Sequence, residues 1–261
     1  LQEVSVAGGS VGSNAFLNCV SLKKAEVLSG AIYGNAFSNC VSLESLHMGD
    51  GVTQIGDKAL NNCRSLKSLT IPDSVTTLGS NIILGCTGLE TLIIGGISCG
   101  IGPSTNISLY GNNIPFCVGE PSNLKTLIIH EGVPFISDAA FANFDRNVAR
   151  LAQAHGFDKL ETVIIPESVT FIGSYAFAKS GLRSVTVKGA PTIDGSAFAD
   201  LPYLEEAFIT GGALKWSAFE NCVNLETVVL EEGVTEIGNG CFLNCSSLKS
   251  LYIPDSVTTY G

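Results

Sequence analysis

Leu66-Lys-Ser-Leu69-Thr-Ile71-Pro72-Asp-Ser-Val75-Thr-Thr-Leu78-Gly79 is a phrase that this chain repeats, with variations, eleven times. The phrase is followed by a small-aromatic-Asn-Cys ending such as Asn14-Ala15-Phe16-Leu17-Asn18-Cys19. The first leucine of the unit falls at Leu1, Leu22, Leu43, Leu66, Leu89, Leu124, Leu160, Leu182, Leu204, Leu225 and Leu248. The step is about 21 to 23 residues, except from Leu89 to Leu124 and from Leu124 to Leu160, where it is half as long again. Units of this length cannot bury an apolar face alone, so they stack as the coils of a solenoid.

Within Leu-x-x-Leu-x-Ile the apolar residues alternate with outward positions, the period of a strand with one buried face. The spacing and frame are those of a leucine-rich repeat. The predicted fold is an α/β-type but strand-dominated repeat solenoid, a right-handed superhelix of about eleven coils. One parallel sheet runs along it, roughly 50 Å long at about 4.8 Å per coil. The return path reads Val-x-x-Ile-Gly (Val52 to Gly56, Val169 to Gly173, Val234 to Gly238), with glycine permitting a tight bend. Phe16, Phe37, Phe141, Phe177, Phe198, Phe219 and Phe242 share one coil position, which predicts a buried aromatic column behind the sheet.

Repetition makes residues 1–261 a single elongated domain, with insertions near 95–121 and 145–158. A net charge of −10 and a pI near 4.7 exclude a nucleic-acid partner, which needs clustered Lys and Arg. No stretch approaches a membrane span, so this segment does not insert into a bilayer. The chain starts in frame at Leu1 and stops just after a return path. The expectation is a fragment of a longer protein, with signal and anchor outside it.

Six of the nine cysteines (Cys19, Cys40, Cys63, Cys86, Cys222 and Cys245) precede the next unit's first leucine by three residues. That regularity predicts a column of small buried side chains rather than disulfides or zinc ligands. Cys241 takes an alanine position. Cys99 and Cys117 lie off the column in the first insertion, where they either pair or stay free. His47, His130 and His155 fall in separate units and do not converge, with His47 and His130 about 15 Å apart along the stack. No nucleophile elbow, phosphate loop or calcium loop is present, so neither an enzyme nor a cofactor is expected.

The residue after the first leucine alternates in charge through Lys23, Glu44, Lys67, Glu90, Lys125, Glu161, Arg183 and Glu205. It repeats its sign once at Glu226 and resumes at Lys249. In a parallel stack these are neighbours, forming a ladder of opposite charges in which each exposed pair contributes about 0.2 to 1 kcal/mol. Glu205, Glu206 and Glu226 make the most negative part of the sheet, where a basic partner could dock. The outward residue between the second and third apolar positions is greasy in Ile93, Ile128, Ile164, Phe208, Val229 and Tyr252. This stripe is either an interaction surface or is covered by threonine rows and the insertions. Trp216 stands where other units carry Ser13, Asn35, Asp57, Ser80, Ser174 or Asn239. It either anchors a partner or covers a gap.

The insertion Asp145-Arg-Asn-Val-Ala-Arg-Leu-Ala-Gln-Ala-His-Gly156 reads as a short helix between an Asp cap and a Gly stop. The segment from Gly95 to Pro121 reads as a loop or flap. The segments Ile71-Pro72-Asp-Ser-Val75-Thr, Ile165-Pro166-Glu-Ser-Val169-Thr and Asn244-Cys245-Ser-Ser-Leu248 closely resemble the BspA-type leucine-rich repeat. The resemblance covers nearly the whole chain. It implies a cell-surface or secreted adhesin that binds an extracellular host or neighbouring-cell protein, such as a matrix or plasma protein, and it carries over no catalytic residues. The alternative is a rigid spacer presenting another module.

Overall fold

Because the repeat frame returns every residue to the same place one coil later, backbone pairing is equivalent to equivalent. The computed structural model describes residues 1–96, 101, 123–142 and 157–261. In chain order the strands are β1 (Glu3–Val6), β2 (Lys24–Ile32), β3 (Ser45–Ile55), β4 (Ser68–Ile71), β5 (Thr77–Leu78), β6 (Thr91–Ile94), β7 (Thr126–Ile129) and β8 (Phe135–Ile136). They continue as β9 (Thr162–Ile165), β10 (Phe171–Ile172), β11 (Ser184–Val187), β12 (Thr192–Ile193), β13 (Glu206–Leu214), β14 (Thr227–Ile237) and β15 (Thr259–Tyr260). Every pairing is parallel, as in Val4↔Ala25 and Thr186↔Phe208.

The fold is a strand-dominated parallel β-solenoid. Ten coils contribute a front strand, and the eleventh places its Leu-x-x-Leu-x-Ile frame at Leu248 to Ile253 without one. Among the described residues there is no helix; the return paths are turns and short strands. The predicted helix at 145–156, the 95–121 loop beyond Gly96 apart from Ile101, and the pairing of Cys99 with Cys117 lie outside the described residues.

Two turn positions per coil, four residues apart, hold the backbone at positive φ. Examples are Asn14 and Asn18, Asn35 and Asn39, and Ser217 and Asn221. Asparagine tolerates this left-handed region better than most residues, which explains the Asn of the Asn-Cys ending. The second of these positions also builds a ladder. Asn62 Nδ2 donates to Asn39 Oδ1, and Asn39 Nδ2 to Asn18 Oδ1, each at 2.9 Å. Further along, Asn244 donates to Asn221 and Asn221 to Asp200, each at 2.8 Å.

Behind the sheet the phenylalanines stack as predicted. Ring centroids are 5.2 Å apart for Phe16–Phe37, Phe177–Phe198 and Phe198–Phe219, 5.1 Å for Phe141–Phe177 and 5.7 Å for Phe219–Phe242. Leu60 and Ile83 occupy the same buried position in the coils between Phe37 and Phe141. Beside them run the cysteines. Each thiol donates to the carbonyl of the aromatic position one coil earlier: Cys40 to Phe16, Cys63 to Phe37, Cys86 to Leu60, Cys222 to Phe198 and Cys245 to Phe219, at 3.1 to 3.2 Å. Burial pushes the Cys40 thiol up to about 11 and the Cys241 thiol up to about 12. Ser180 takes the cysteine place in its coil, and its buried hydroxyl has no partner among the described residues.

The front sheet is not one continuous ladder. It divides into a four-stranded sheet containing β1, β2 and β3 and an eleven-stranded sheet beginning at β4. Proline is the cause. In ordinary coils the residue after the third apolar position donates its N–H to the preceding coil, as Gly95 does to Ile71 O (2.8 Å), His130 to Ile94 O (2.9 Å) and Lys188 to Ile165 O (2.9 Å). Pro72, Pro166 and Pro254 occupy that place and have no N–H to give. At Pro72 the pairing of β3 with β4 is absent, at Pro166 the pairing of β7 with β9 shrinks to Thr126↔Thr162, and at Pro254 no front strand forms. The same turn is clipped elsewhere: Ser74, Ser168 and Ser256 hydroxyls donate to Val52, Val133 and Val234 carbonyls at 2.6, 3.0 and 2.7 Å.

Candidate interaction surface

The outward positions of the front strands form the open sheet face, because inward neighbours alternate with them in every strand. Register brings Thr70, Ile93 and Ile128 side by side, and Ile164, Thr186, Phe208 and Val229 side by side. Ile128 is 40% exposed, Ile164 55% and Val229 38%; Ile93 and Phe208 are half-buried. Tyr252 is exposed in the eleventh coil. The threonine rows leave Ile128, Ile164, Val229 and Tyr252 open and Ile93 and Phe208 half-covered, while most of the two insertions lies outside the described residues.

Among the described residues the charge ladder closes into contacts at three steps. Lys67 and Lys125 both reach Glu90, at 3.5 and 3.2 Å, and Arg183 reaches Glu205 at 2.7 Å. The Lys125 ammonium, bonded to Glu90, and Lys67 on its other side hold that carboxyl below the usual carboxylate range. Lys23, Glu44, Glu161, Glu226 and Lys249 keep their places in the row, exposed, with no ion pair within 4 Å among the described residues.

Trp216 is 49% exposed, and its indole lies across Gly195 one coil earlier, where a Cβ would collide with the ring. Tyr175, in the coil before that, meets the indole edge to face with centroids 6.4 Å apart. The slot is therefore two residues before the buried alanine, which makes its second-coil member Gly34 rather than Asn35. The tryptophan fills space left open by the absent side chain of Gly195.

His47 and His130 remain three coils apart, yet both line one hollow of about 670 Å³ on the sheet face. This hollow lies where β3 and β4 fail to pair, with Leu46, Met48 and Ile71 in its floor and Asp50, Thr70 and Asp73 on its walls. Sequence spacing keeps the two histidines apart, and the hollow they line spans the coils between them, past Thr70 and Ile93. His155 lies outside the described residues. Among the described residues no group of three or more His, Cys, Asp or Glu is arranged to hold a metal ion. No helix there is long and apolar enough to cross a membrane.

Stacked coils with one open sheet face and internal side-chain ladders define a repeat scaffold. The chain belongs to the BspA type leucine rich repeat family, whose model it matches in 6 copies over residues 9–146 and 152–261. It is similar to the crystal structure of a leucine-rich repeat protein from Bacteroides ovatus, with 20% identity over 99% of this chain and 80% of that chain and a TM-score of 0.50. A leucine rich cell surface protein from Faecalibacterium prausnitzii matches at 20% identity, covering 100% of this chain and 69% of that chain, with a TM-score of 0.38. The pneumococcal vaccine antigen PcpA matches at 19% identity, covering 100% and 63%, with a TM-score of 0.39. No curated protein matches the chain.

Proposed function

We propose that this chain is a non-enzymatic protein-binding segment of a cell-surface or secreted protein, and that its open sheet face engages an extracellular protein of a host or a neighbouring cell. The observation that carries the reading is the row of outward isoleucines, Ile128 and Ile164, left open on adjacent coils whose inward neighbours Leu127, Ile129, Val163 and Ile165 are buried. Exposed apolar rows of this kind are the part of a surface that a partner removes from water. Membership of the BspA-type family supports a scaffold for protein interaction.

The test is a binding screen of the chain against immobilised matrix and plasma proteins, beside a variant carrying Ile128→Ser, Ile164→Ser and Phe208→Ser. Binding by the parent that disappears in a folded variant is the expected result. Binding by neither, or equally by both, removes the sheet face from consideration. The absence of all binding favours a rigid spacer, a reading supported by the phenylalanine, cysteine and asparagine ladders that lock coil to coil.

A further inference from the structure

The open sheet face changes character along the stack. Around Ile128 and Ile164 the preceding outward residues are threonines, Thr126 and Thr162. Around Phe208 and Val229 the flanking outward residues include carboxylates. Glu206 and Phe208 share the outward side of β13, and Val229 and Glu231 share that of β14. Phe208 lies beside Val229 in the parallel register. The apolar pair is thus bracketed on one face by a carboxylate at each end, each about 7 Å along its strand from the nearer apolar residue.

These charges are unspent. Arg183 neutralises Glu205 and Lys215 bonds Glu236, but Glu206, Glu226, Glu231 and Glu232 are exposed with no lysine or arginine within 4 Å among the described residues. Residues 201–240 hold seven glutamates against one lysine, so six of the ten units of net negative charge fall on this part of the chain.

We infer that the Phe208–Val229 end of the sheet face docks a segment of a partner protein that carries lysine or arginine side chains around an apolar residue. The inference rests on the protein-binding reading above and narrows it to one chemistry. A lysine or arginine lays its methylene stem along Phe208 and Val229 while its head reaches Glu206 or Glu231, so burial and charge act through one side chain. The uncompensated carboxylates also steer a cationic segment toward the face and repel an acidic one.

The probe is a short peptide of alternating Arg and Leu, with a Glu and Leu counterpart, applied to the immobilised full chain. Binding of the basic peptide alone is expected, weakening about tenfold or more between roughly 0.05 and 0.5 M salt as screening grows. The double variant Glu206→Gln, Glu231→Gln and the single variant Phe208→Ser should each lose at least about tenfold. Glu26→Gln with Glu44→Gln removes the same charge from coils two and three and should lose nothing. Equal loss in both double variants, or binding that survives Glu206→Gln, Glu231→Gln and Phe208→Ser, overturns the proposal. A screened protein that binds through Ile128 and Ile164 but ignores the glutamate variants also overturns it while leaving the broader reading intact. Peptide binding localised as expected sustains it even where no matrix or plasma protein binds.

Discussion

The thiol of Cys63 donates to the carbonyl oxygen of Phe37, one coil earlier, at 3.2 Å. Both residues are wholly buried, and the thiol is shared with the Cys86 hydrogen bond and cut off from water, so its proton is held far more tightly than in a free cysteine. A thiolate is the reactive species. A brief pulse of iodoacetamide followed by peptide mapping should therefore leave Cys40, Cys63, Cys86, Cys222 and Cys241 unmodified in the native chain and label all five after denaturation. Labelling of any of them at the native-state pace of a surface thiol contradicts the buried column.

Phe198 sits between Phe177 and Phe219 with parallel rings at 5.2 Å on both sides. Phe198→Ala removes two stacking faces and leaves a cavity that the neighbouring coils cannot close. The expected cost is about 3 to 5 kcal/mol in denaturant unfolding. Because each coil touches only its neighbours, the variant should also broaden the transition as the two halves uncouple.

Much of this was legible in the sequence. A residue that recurs with the repeat period must stack on its own copies, so the phenylalanine and cysteine columns followed from position alone. The seam between β3 and β4 did not. Pro72 reads as a turn residue, and its missing N–H matters only once Gly95 N to Ile71 O shows which bond that place normally makes. Ion pairing along the charge row was likewise beyond the sequence, because long flexible side chains can share a row without meeting, as Glu161 and Arg183 do. The sequence leaves Trp216 as either a gap filler or an anchor; that its indole lies over Gly195 follows only from the coil geometry.

Pro72→Ala restores the donor at that place. The new amide should reach Met48 O and extend the β3 ladder onto β4, which hydrogen exchange would register as slowed exchange at residue 72. The new hydrogen bond contributes about 0.5 to 1.5 kcal/mol, against about 0.4 to 1 kcal/mol lost through a freer unfolded chain. Stability should therefore move by less than about 1 kcal/mol while the protection pattern changes. Rapid exchange at residue 72 would show that something other than proline separates the strands.

Asp138 and Glu131 should respond to pH with opposite signs. Burial, aided by Asp194, raises the Asp138 carboxyl although it accepts the Ser174 N–H. Its folded state holds the proton more tightly than the unfolded state, so its contribution is present at low pH and lost as pH rises through the raised value. Asp138→Asn should gain thermal stability over the parent as pH goes from acid to neutral. Glu131 is lowered by the Ser168 and Glu167 backbone N–H groups, so its contribution is present above the ordinary glutamate range and lost on acidification. Glu131→Gln should be the less stable protein at neutral pH and converge with the parent in acid. Melting curves of both variants across that range with parallel trends would refute the assignment.

Gly195→Ala puts a methyl group where the Trp216 indole lies. Overpacking should cost about 1 to 3 kcal/mol and shift the emission of the lone tryptophan to the red as the ring is lifted into water. In the double variant with Trp216→Ser the alanine should cost nothing further. A full additive penalty would mean that the two residues do not share that space.

The asparagine ladder gives the stack a grammar. Asn39 and Asn221 each donate to the coil before and accept from the coil after, Asn39 between Asn18 and Asn62 and Asn221 between Asp200 and Asn244, whereas Asp200 only accepts. A coil ending in Asn-Cys is therefore self-complementary: another copy can be spliced in after it without orphaning a polar atom, and one can be lost without leaving a mismatch. Asp200 begins the second run, as Asn18 begins the first. Length in this protein is thus a variable that gene duplication can adjust one unit at a time.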